Sequence, residues 1–446
     1  MLIRPLTACL LALPIALAST PALAQERQKA AEVAASDDPD AAETATSKVP
    51  LDEIRRYVAV YNAIKQAYVD KVDDDKLMHS AIRGLLLDLD PHSTYFDKAD
   101  ARVFDEQTDG AYEGIGVELF QLPDRTMRVV APIDDTPAAR AGIKAGDLII
   151  AIDGKPIELE DGAASPLRGK PGSAVTLTIV RVGKPKPFDV TLTREKIRVA
   201  SVRNRMLEPG YGYVRVSTFQ ADTASDFATA LDKLKGQGGG KLRGLVLDLR
   251  SNPGGLLTSA VQMADELLDT GKIVSTRGRI AISDSEFSAT PGDRLDGAPV
   301  MVLVDAGSAS ASEVLAGALR DNNRARVIGS RTFGKGSVQT VLPLDNGDSV
   351  KLTTARYFTP SGKSIQARGI VPDVVLHPEK TATSSGVPGY TEATLPGHLR
   401  GDGEGEGKEG FTAGEVLDGD APITSALAEL KKGVEVTATT EREPRG

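Results

Sequence analysis

Ser310 and Lys335 carry the chemistry that this sequence most plainly offers. Ser310 lies in Gly307-Ser308-Ala309-Ser310-Ala311-Ser312-Glu313, and Lys335 in Phe333-Gly334-Lys335-Gly336-Ser337-Val338-Gln339. The first run joins an apolar strand to a predicted helix, and the second follows the next strand. A hydroxyl nucleophile and an amine base would then stand on neighbouring strand ends. The usual partner of a catalytic serine is scarce, because the four histidines (His79, His92, His377, His398) all lie away from this segment. A serine hydrolase built from these residues would be a Ser-Lys enzyme rather than a Ser-His-Asp one.

Each residue alone has a plainer reading. Ser310 with Glu313 fits S-x-x-E, the signature of a capped helix start. A serine in that place also has free N–H groups and the positive end of the helix dipole beside its hydroxyl. The N–H of Ala311 could therefore stabilise an oxyanion. A second donor would come from the Gly254-Gly255 turn, where missing side chains let backbone approach a substrate, with Gly255 taken as the donor. Lys335 alone reads as a solvated lysine. To accept a proton it must be neutral, which means moving from a pKa of ~10.4 to roughly 7–8. Such a shift of about three units amounts to roughly 4 kcal/mol, within what burial supplies. A nearby carboxylate would instead hold the lysine protonated.

Other chemistries fail on particular residues. Gly329 to Lys335 fits G-x-x-x-x-G-K, but Gly336 stands where a phosphate loop needs Ser or Thr, and strands rather than a helix follow. Neither S-x-x-K nor H-E-x-x-H occurs. No cofactor and no metal is expected. The formal net charge of −9 gives no electrostatic footprint for nucleic acid.

The 446 residues suggest two or three domains, and 41% hydrophobic with 26% charged residues is ordinary for a globular chain. Residues 1–24 read as a signal peptide: Arg4, an apolar run from Leu6 to Ala18, and Ala22-Leu23-Ala24 before Gln25. Cleavage after Ala24 would remove Cys9, the only cysteine, and place a cysteine-free protein in the periplasm. Residues 25–48 are rich in Ala, Asp, Glu and Thr and read as a disordered linker. Residues 49–107 read as helical, with Ile54, Tyr57, Val58, Tyr61 and Ile64 on one apolar face suited to packing or dimerisation. A second helix is expected at Leu77 to Leu87, ended by Asp90-Pro91. Residues 108–195 are β-rich and punctuated by Gly, Pro and Asp. From 196 to 378 strands alternate with helices, the pattern of an α/β core. Residues 379–446 read as a flexible tail with one amphipathic helix at Ile423 to Lys432.

Two resemblances bind these observations together. Thr136 to Gly154, with Pro137-Ala138-Ala139-Arg140-Ala141-Gly142 and Ala145-Gly146-Asp147-Leu148, resembles the PDZ domains attached to bacterial proteases. Gly114-Ile115-Gly116-Val117 falls at that family's carboxylate-binding loop, where backbone N–H groups converge on a peptide C-terminus. Asp248-Leu249-Arg250-Ser251-Asn252-Pro253-Gly254-Gly255, the Ser310 run, Gly334-Lys335-Gly336-Ser337-Val338-Gln339, Thr359-Pro360-Ser361-Gly362 and Gly369-Ile370-Val371-Pro372-Asp373 resemble the carboxyl-terminal processing peptidases, tail-specific serine proteases of the S41 family. The resemblance covers roughly residues 50 to 378. It implies an α/β, multidomain chain: a crotonase-like protease core, an inserted PDZ domain and an N-terminal helical segment. It also implies that Ser310 is the nucleophile, Lys335 the base and Gln339 the residue that orients the lysine. Arg168, in Leu167-Arg168-Gly169-Lys170, resembles an arginine that couples peptide binding to alignment of the dyad.

The expectation is thus a periplasmic endopeptidase that takes protein substrates by apolar C-termini. It would assemble as a homo-oligomer and work with an adaptor protein of the envelope. The rival is a catalytically inactive PDZ scaffold.

Overall fold

Gly244-Leu245-Val246-Leu247-Asp248 is apolar on both faces, as a strand covered on both sides must be. In the computed structural model it lies within a six-stranded sheet. The order is Val202–Glu208, Tyr211–Val216, Gly244–Asp248, Val300–Val304, Ala325–Gly329, Val374–Val375. The first pair is antiparallel and the rest are parallel. Successive residues of a strand point to opposite faces. Leu245, Leu247, Val302 and Val304 therefore share one core with the helices Thr223–Gln237, Leu257–Asp265 and Ala311–Asp321. Val246, Met301 and Ile328 pack on the other side against Ile423, Ala426, Leu427 and Leu430 of the helix Ala421–Thr440.

The structure describes residues 49–121, 126–157, 166–280, 283–377, 391–402 and 414–440. The expected signal peptide and linker lie outside them. Contacts divide the chain into two units: residues through Ser80 with Leu344–Asn346, and Ala81–Pro343 with Gly347 onward. In the first, Tyr61 donates to Asp74 at 2.6 Å. Its helix Leu51–Ala67 buries no residue, and Ile54, Tyr57 and Val58 are 42–46% exposed. The apolar face read from the sequence is therefore not part of a core.

In the second unit, a five-stranded antiparallel sheet is organised on Ser349–Phe358. That strand pairs with Thr94–Phe96, Lys272–Gly278 and Ser337–Pro343, and Ser285–Ser288 pairs with Lys272–Gly278. The β-rich insert has the order Val117–Gln121, Met127–Pro132, Leu148–Ile152, Ala174–Val180, Phe188–Thr193, with Lys155–Pro156 added to Leu148–Ile152. Its core is built on Ile115, Val129, Ile149, Leu177 and Ile179. Ala111–Gly114 and Glu195–Arg198 pair antiparallel as the two strands by which the insert enters and leaves. The short helix Pro137–Arg140 has proline at its first position, and the Thr136 hydroxyl does not cap it. It donates to Gly116 C=O (3.0 Å) and Ile133 C=O (2.6 Å) and so pins the glycine loop.

The helix expected at Ile423 to Lys432 lies within Ala421–Thr440, and the described parts of the tail are fastened to the core. Arg250, paired with Asp248 at 2.7 Å, donates to the carbonyls of Leu417 (2.9 Å) and Gly419 (3.0 Å). Leu417 N–H donates to Asp305. Sequence composition concealed this because the Gly- and Glu-rich stretch precedes an apolar helix that covers an otherwise bare sheet face. Leu430 is 2% exposed in that face. Leu430→Ala should lower the unfolding free energy by about 2–5 kcal/mol in urea denaturation, the range for truncating a buried leucine. An unchanged midpoint would mean that the helix is not part of the core.

Candidate active site

Parallel neighbours release their following turns at the same edge of a sheet. Gly244–Asp248, Val300–Val304 and Ala325–Gly329 are such neighbours. The turns that hold Gly254-Gly255, Ser310 and Lys335 therefore emerge side by side.

Ser310 precedes the helix Ala311–Asp321 with φ 55° and ψ −113°. This is a conformation of tight turns that disfavours any residue bearing a Cβ and costs on the order of 1–3 kcal/mol. Its two neighbours in the serine run are different. Ser308 Oγ donates to Leu249 C=O (2.8 Å) and Ser312 Oγ to Asn252 C=O (3.0 Å), both from fully buried positions. Their hydroxyls hold the turns together. Ser310 alone of the three retains some exposure, 7%. Its hydroxyl meets the phenol of Tyr357, which burial pushes up to about 12.

Glu313 turns out to be more than a helix cap. Fully buried, it accepts from Ser310 N–H (2.8 Å), Gly334 N–H (2.8 Å), Lys335 N–H (2.9 Å) and the Thr332 hydroxyl. One carboxylate thus fastens the serine turn to the lysine turn. Burial pushes Glu313 up to about 7, against the pull of these four donors.

Lys335 is held below the ordinary lysine range, first by burial and then by the charge of Lys351. Glu392, Glu313 and Asp90 oppose the shift. The lysine is therefore not free of carboxylates, as the sequence reading wanted, but burial outweighs them. Gln366 fixes the same turn from behind. It accepts Gly336 N–H (3.0 Å) and donates to Glu392 (2.8 Å), which also pairs with His92 at 2.8 Å. Gln339 does not hydrogen-bond Lys335 in this structure. Its amide nitrogen reaches Ser337 Oγ (2.9 Å) and Thr353 Oγ1 (3.2 Å). No hydrogen bond joins Ser310 to Lys335 among the described residues either.

The glycine turn touches the serine directly. A Cβ on Gly254 would come within 2.9 Å of Ser310 Cβ and 3.1 Å of Ala311 N. Gly254 N–H is taken by Asn252 Oδ1 (2.9 Å), and its carbonyl by Phe219 N–H (2.9 Å) and Thr218 Oγ1 (3.0 Å). Gly255, at φ 136°, lies against Phe219, where a Cβ would meet the carbonyl oxygen at 2.2 Å. Asp305 steadies the turn by accepting Ser251 N–H (2.7 Å) and Gly307 N–H (2.9 Å).

In the insert, the Ile115 carbonyl accepts Ala138 N–H (2.9 Å) and the Gly116 carbonyl accepts Ile133 N–H (3.0 Å). Val117 N–H meets the Tyr112 hydroxyl. Arg168 stacks over the Tyr112 ring at 5.2 Å and is ion-paired with Glu106. Both line a cavity of about 340 Å³ that also includes Tyr112, Thr218 and Gln220. Arg168 therefore stands at the junction of insert and core, not at the serine. Among the described residues no cluster of three or more His, Cys, Asp or Glu is set to hold a metal ion.

The sequence reading missed Thr332, Tyr357, Gln366, Glu392, His92 and Asp90. Their signal was faint: isolated polar residues whose partners lie far away in the chain. Glu313→Gln keeps the volume but sets an NH2 group against two of the four donors. It should cost about 2–3 kcal/mol in denaturant unfolding and loosen both turns. Wild-type stability would show that Glu313 is not the fastener.

Three family descriptions match in chain order: an activating protease CtpB N-terminal domain over residues 16–100, a PDZ domain over 128–181 and peptidase family S41 over 210–376. A carboxy-terminal-processing protease of Bartonella bacilliformis is 44% identical over 388 residues, spanning 85% of this chain and 88% of that one. The carboxy-terminal processing protease CtpA of Bacillus subtilis is 38% identical, over 70% and 67% respectively. A solved photosystem II D1 C-terminal processing protease is 33% identical over 72% of this chain and 92% of that one, with a TM-score of 0.43. The chain belongs to the carboxy-terminal-processing proteases of peptidase family S41, serine peptidases that carry a PDZ domain.

Proposed function

We propose that this protease cleaves peptide bonds through a Ser310 acyl-enzyme, with Lys335 as general base and Gln339 orienting the lysine. One observation carries the assignment. Of three chemically alike serines, Ser308 and Ser312 spend their hydroxyls on backbone carbonyls, while Ser310 is strained, partly open and fastened through Glu313 to the lysine turn. Lys335 takes the Ser310 proton as oxygen attacks the scissile carbonyl, then returns it to the leaving amine. The amides of Ala311 and Gly255 are the proposed oxyanion donors, since Gly254 N–H is already engaged.

The PDZ domain is proposed to capture apolar C-termini of protein substrates at Gly114 to Val117. A peptide carboxylate there competes with Tyr112 for Val117 N–H. Displacing Tyr112 disturbs Arg168 and the cavity it shares with Thr218, whose hydroxyl holds Gly254. This gives Arg168 its regulatory part. A periplasmic location follows from the Ala24 cleavage signal. Self-association, with an adaptor of the envelope, is supported by the exposed apolar row on Leu51–Ala67.

Cleavage of an unstructured protein with an apolar C-terminus tests the dyad. Ser310→Ala and Lys335→Ala should each lose about 10³-fold or more in kcat, while Ser312→Ala stays active. Equal cleavage by all of them would remove the dyad, and an inactive wild type would favour the scaffold. Because the neutral amine is the base, kcat/KM should rise with pH through a group titrating below the ordinary lysine range. Activity that falls over that interval would exclude Lys335 as base.

A further inference from the structure

Asp90 is 3% exposed and belongs to no helix or strand. Its Oδ1 accepts His92 N–H (2.8 Å), Ser93 N–H (3.0 Å) and the Thr353 hydroxyl (3.0 Å). Its Oδ2 accepts the Ser93 hydroxyl (2.7 Å). Thr353 is the cross-strand partner of Gln339, and the Gln339 amide nitrogen lies 3.2 Å from Thr353 Oγ1. Asp90, Thr353 and Gln339 therefore form a chain that ends at the glutamine assigned to the lysine.

The chain has a direction. An ionised carboxylate only accepts, so the Thr353 hydroxyl must spend its hydrogen on Asp90. Its oxygen then has only lone pairs to offer Gln339. The glutamine must answer with its NH2 group, which decides an amide orientation that geometry alone leaves ambiguous. The second amide hydrogen is taken by Ser337 Oγ at 2.9 Å. Oε1 is the polar atom that remains. An amine that donates to this oxygen keeps its lone pair for a serine proton, whereas an amine facing NH2 would have the lone pair occupied.

We propose that Asp90, acting through Thr353, is a positioning residue for the Ser310–Lys335 pair: it fixes the Gln339 amide with its oxygen offered to the lysine. The inference rests on the Ser-Lys reading above. Asp90 also acts by charge. The groups facing Lys335 are Lys351, which disfavours the ammonium, and Glu392, Glu313 and Asp90, which favour it; His92 pairs with Glu392.

The two effects separate in the full-length protein, labelled across pH with a serine-directed fluorophosphonate while an apolar-ended peptide occupies the PDZ domain. Thr353→Val leaves the charge but removes the relay, and labelling should slow about tenfold or more. Thr353→Ser restores the hydroxyl and should return to within about twofold of wild type. Asp90→Asn keeps an oxygen under the three Oδ1 donors and removes the charge, so half-maximal labelling should move to lower pH. Wild-type rates in Thr353→Val or no recovery in Thr353→Ser would overturn the positioning role, and an unmoved profile in Asp90→Asn would overturn the charge effect. Labelling that survives Ser310→Ala, or a wild type that takes no label, overturns the Ser-Lys reading instead.

Discussion

Everything at this site depends on one buried carboxylate that receives four donors from two separate turns. Glu313 sits where water cannot reach, and desolvation alone would drive it to neutrality. The amides of Ser310, Gly334 and Lys335, with the Thr332 hydroxyl, are the compensation. Because each donor belongs to the backbone or side chain of a turn that carries chemistry, satisfying the charge and assembling the site are the same event. The strained conformation of Ser310 is held by the same contact, since its own N–H is one of the four.

Around that point the charges are arranged in tension rather than in one direction. Burial and Lys351 favour a neutral lysine; Glu392, Glu313 and Asp90 favour a charged one. A base with opposed influences is sensitive to small rearrangements of any one of them. The two carboxylates outside the serine turn are themselves held, Glu392 by His92 and Gln366, and Asp90 by Ser93 and Thr353. The residues just before the PDZ insertion and those after the main sheet thus both bear on the lysine.

The parts of this arrangement legible in the sequence were those with local signatures. Apolar strands such as Gly244–Asp248 and Val300–Val304 and the S-x-x-E start at Ser310 could be read within a few residues. Motif resemblance supplied the pairing of Ser310 with Lys335. What could not be read was whatever depends on contacts distant along the chain. His92 meets Glu392 across 300 residues, and Asp90 meets Thr353 across 263. Asp90-Pro91 was legible only as the end of a helix. The helix at Ile423 to Lys432 was legible, but not its partner: it packs on a sheet face built elsewhere, from Tyr213, Val246, Met301 and Ile328.

The segment from Ser217 to Gln220 has a mechanical consequence. Side chains alternate in an extended segment. Thr218 and Gln220 line the cavity beside Arg168, while Phe219 is buried in the core with its backbone bonded on both sides to the glycine turn. Cavity wall and turn are thus two sides of the same three residues, with no hinge between them. A ligand seated in the cavity would stand one residue away from the backbone bonds that hold the Gly254-Gly255 turn.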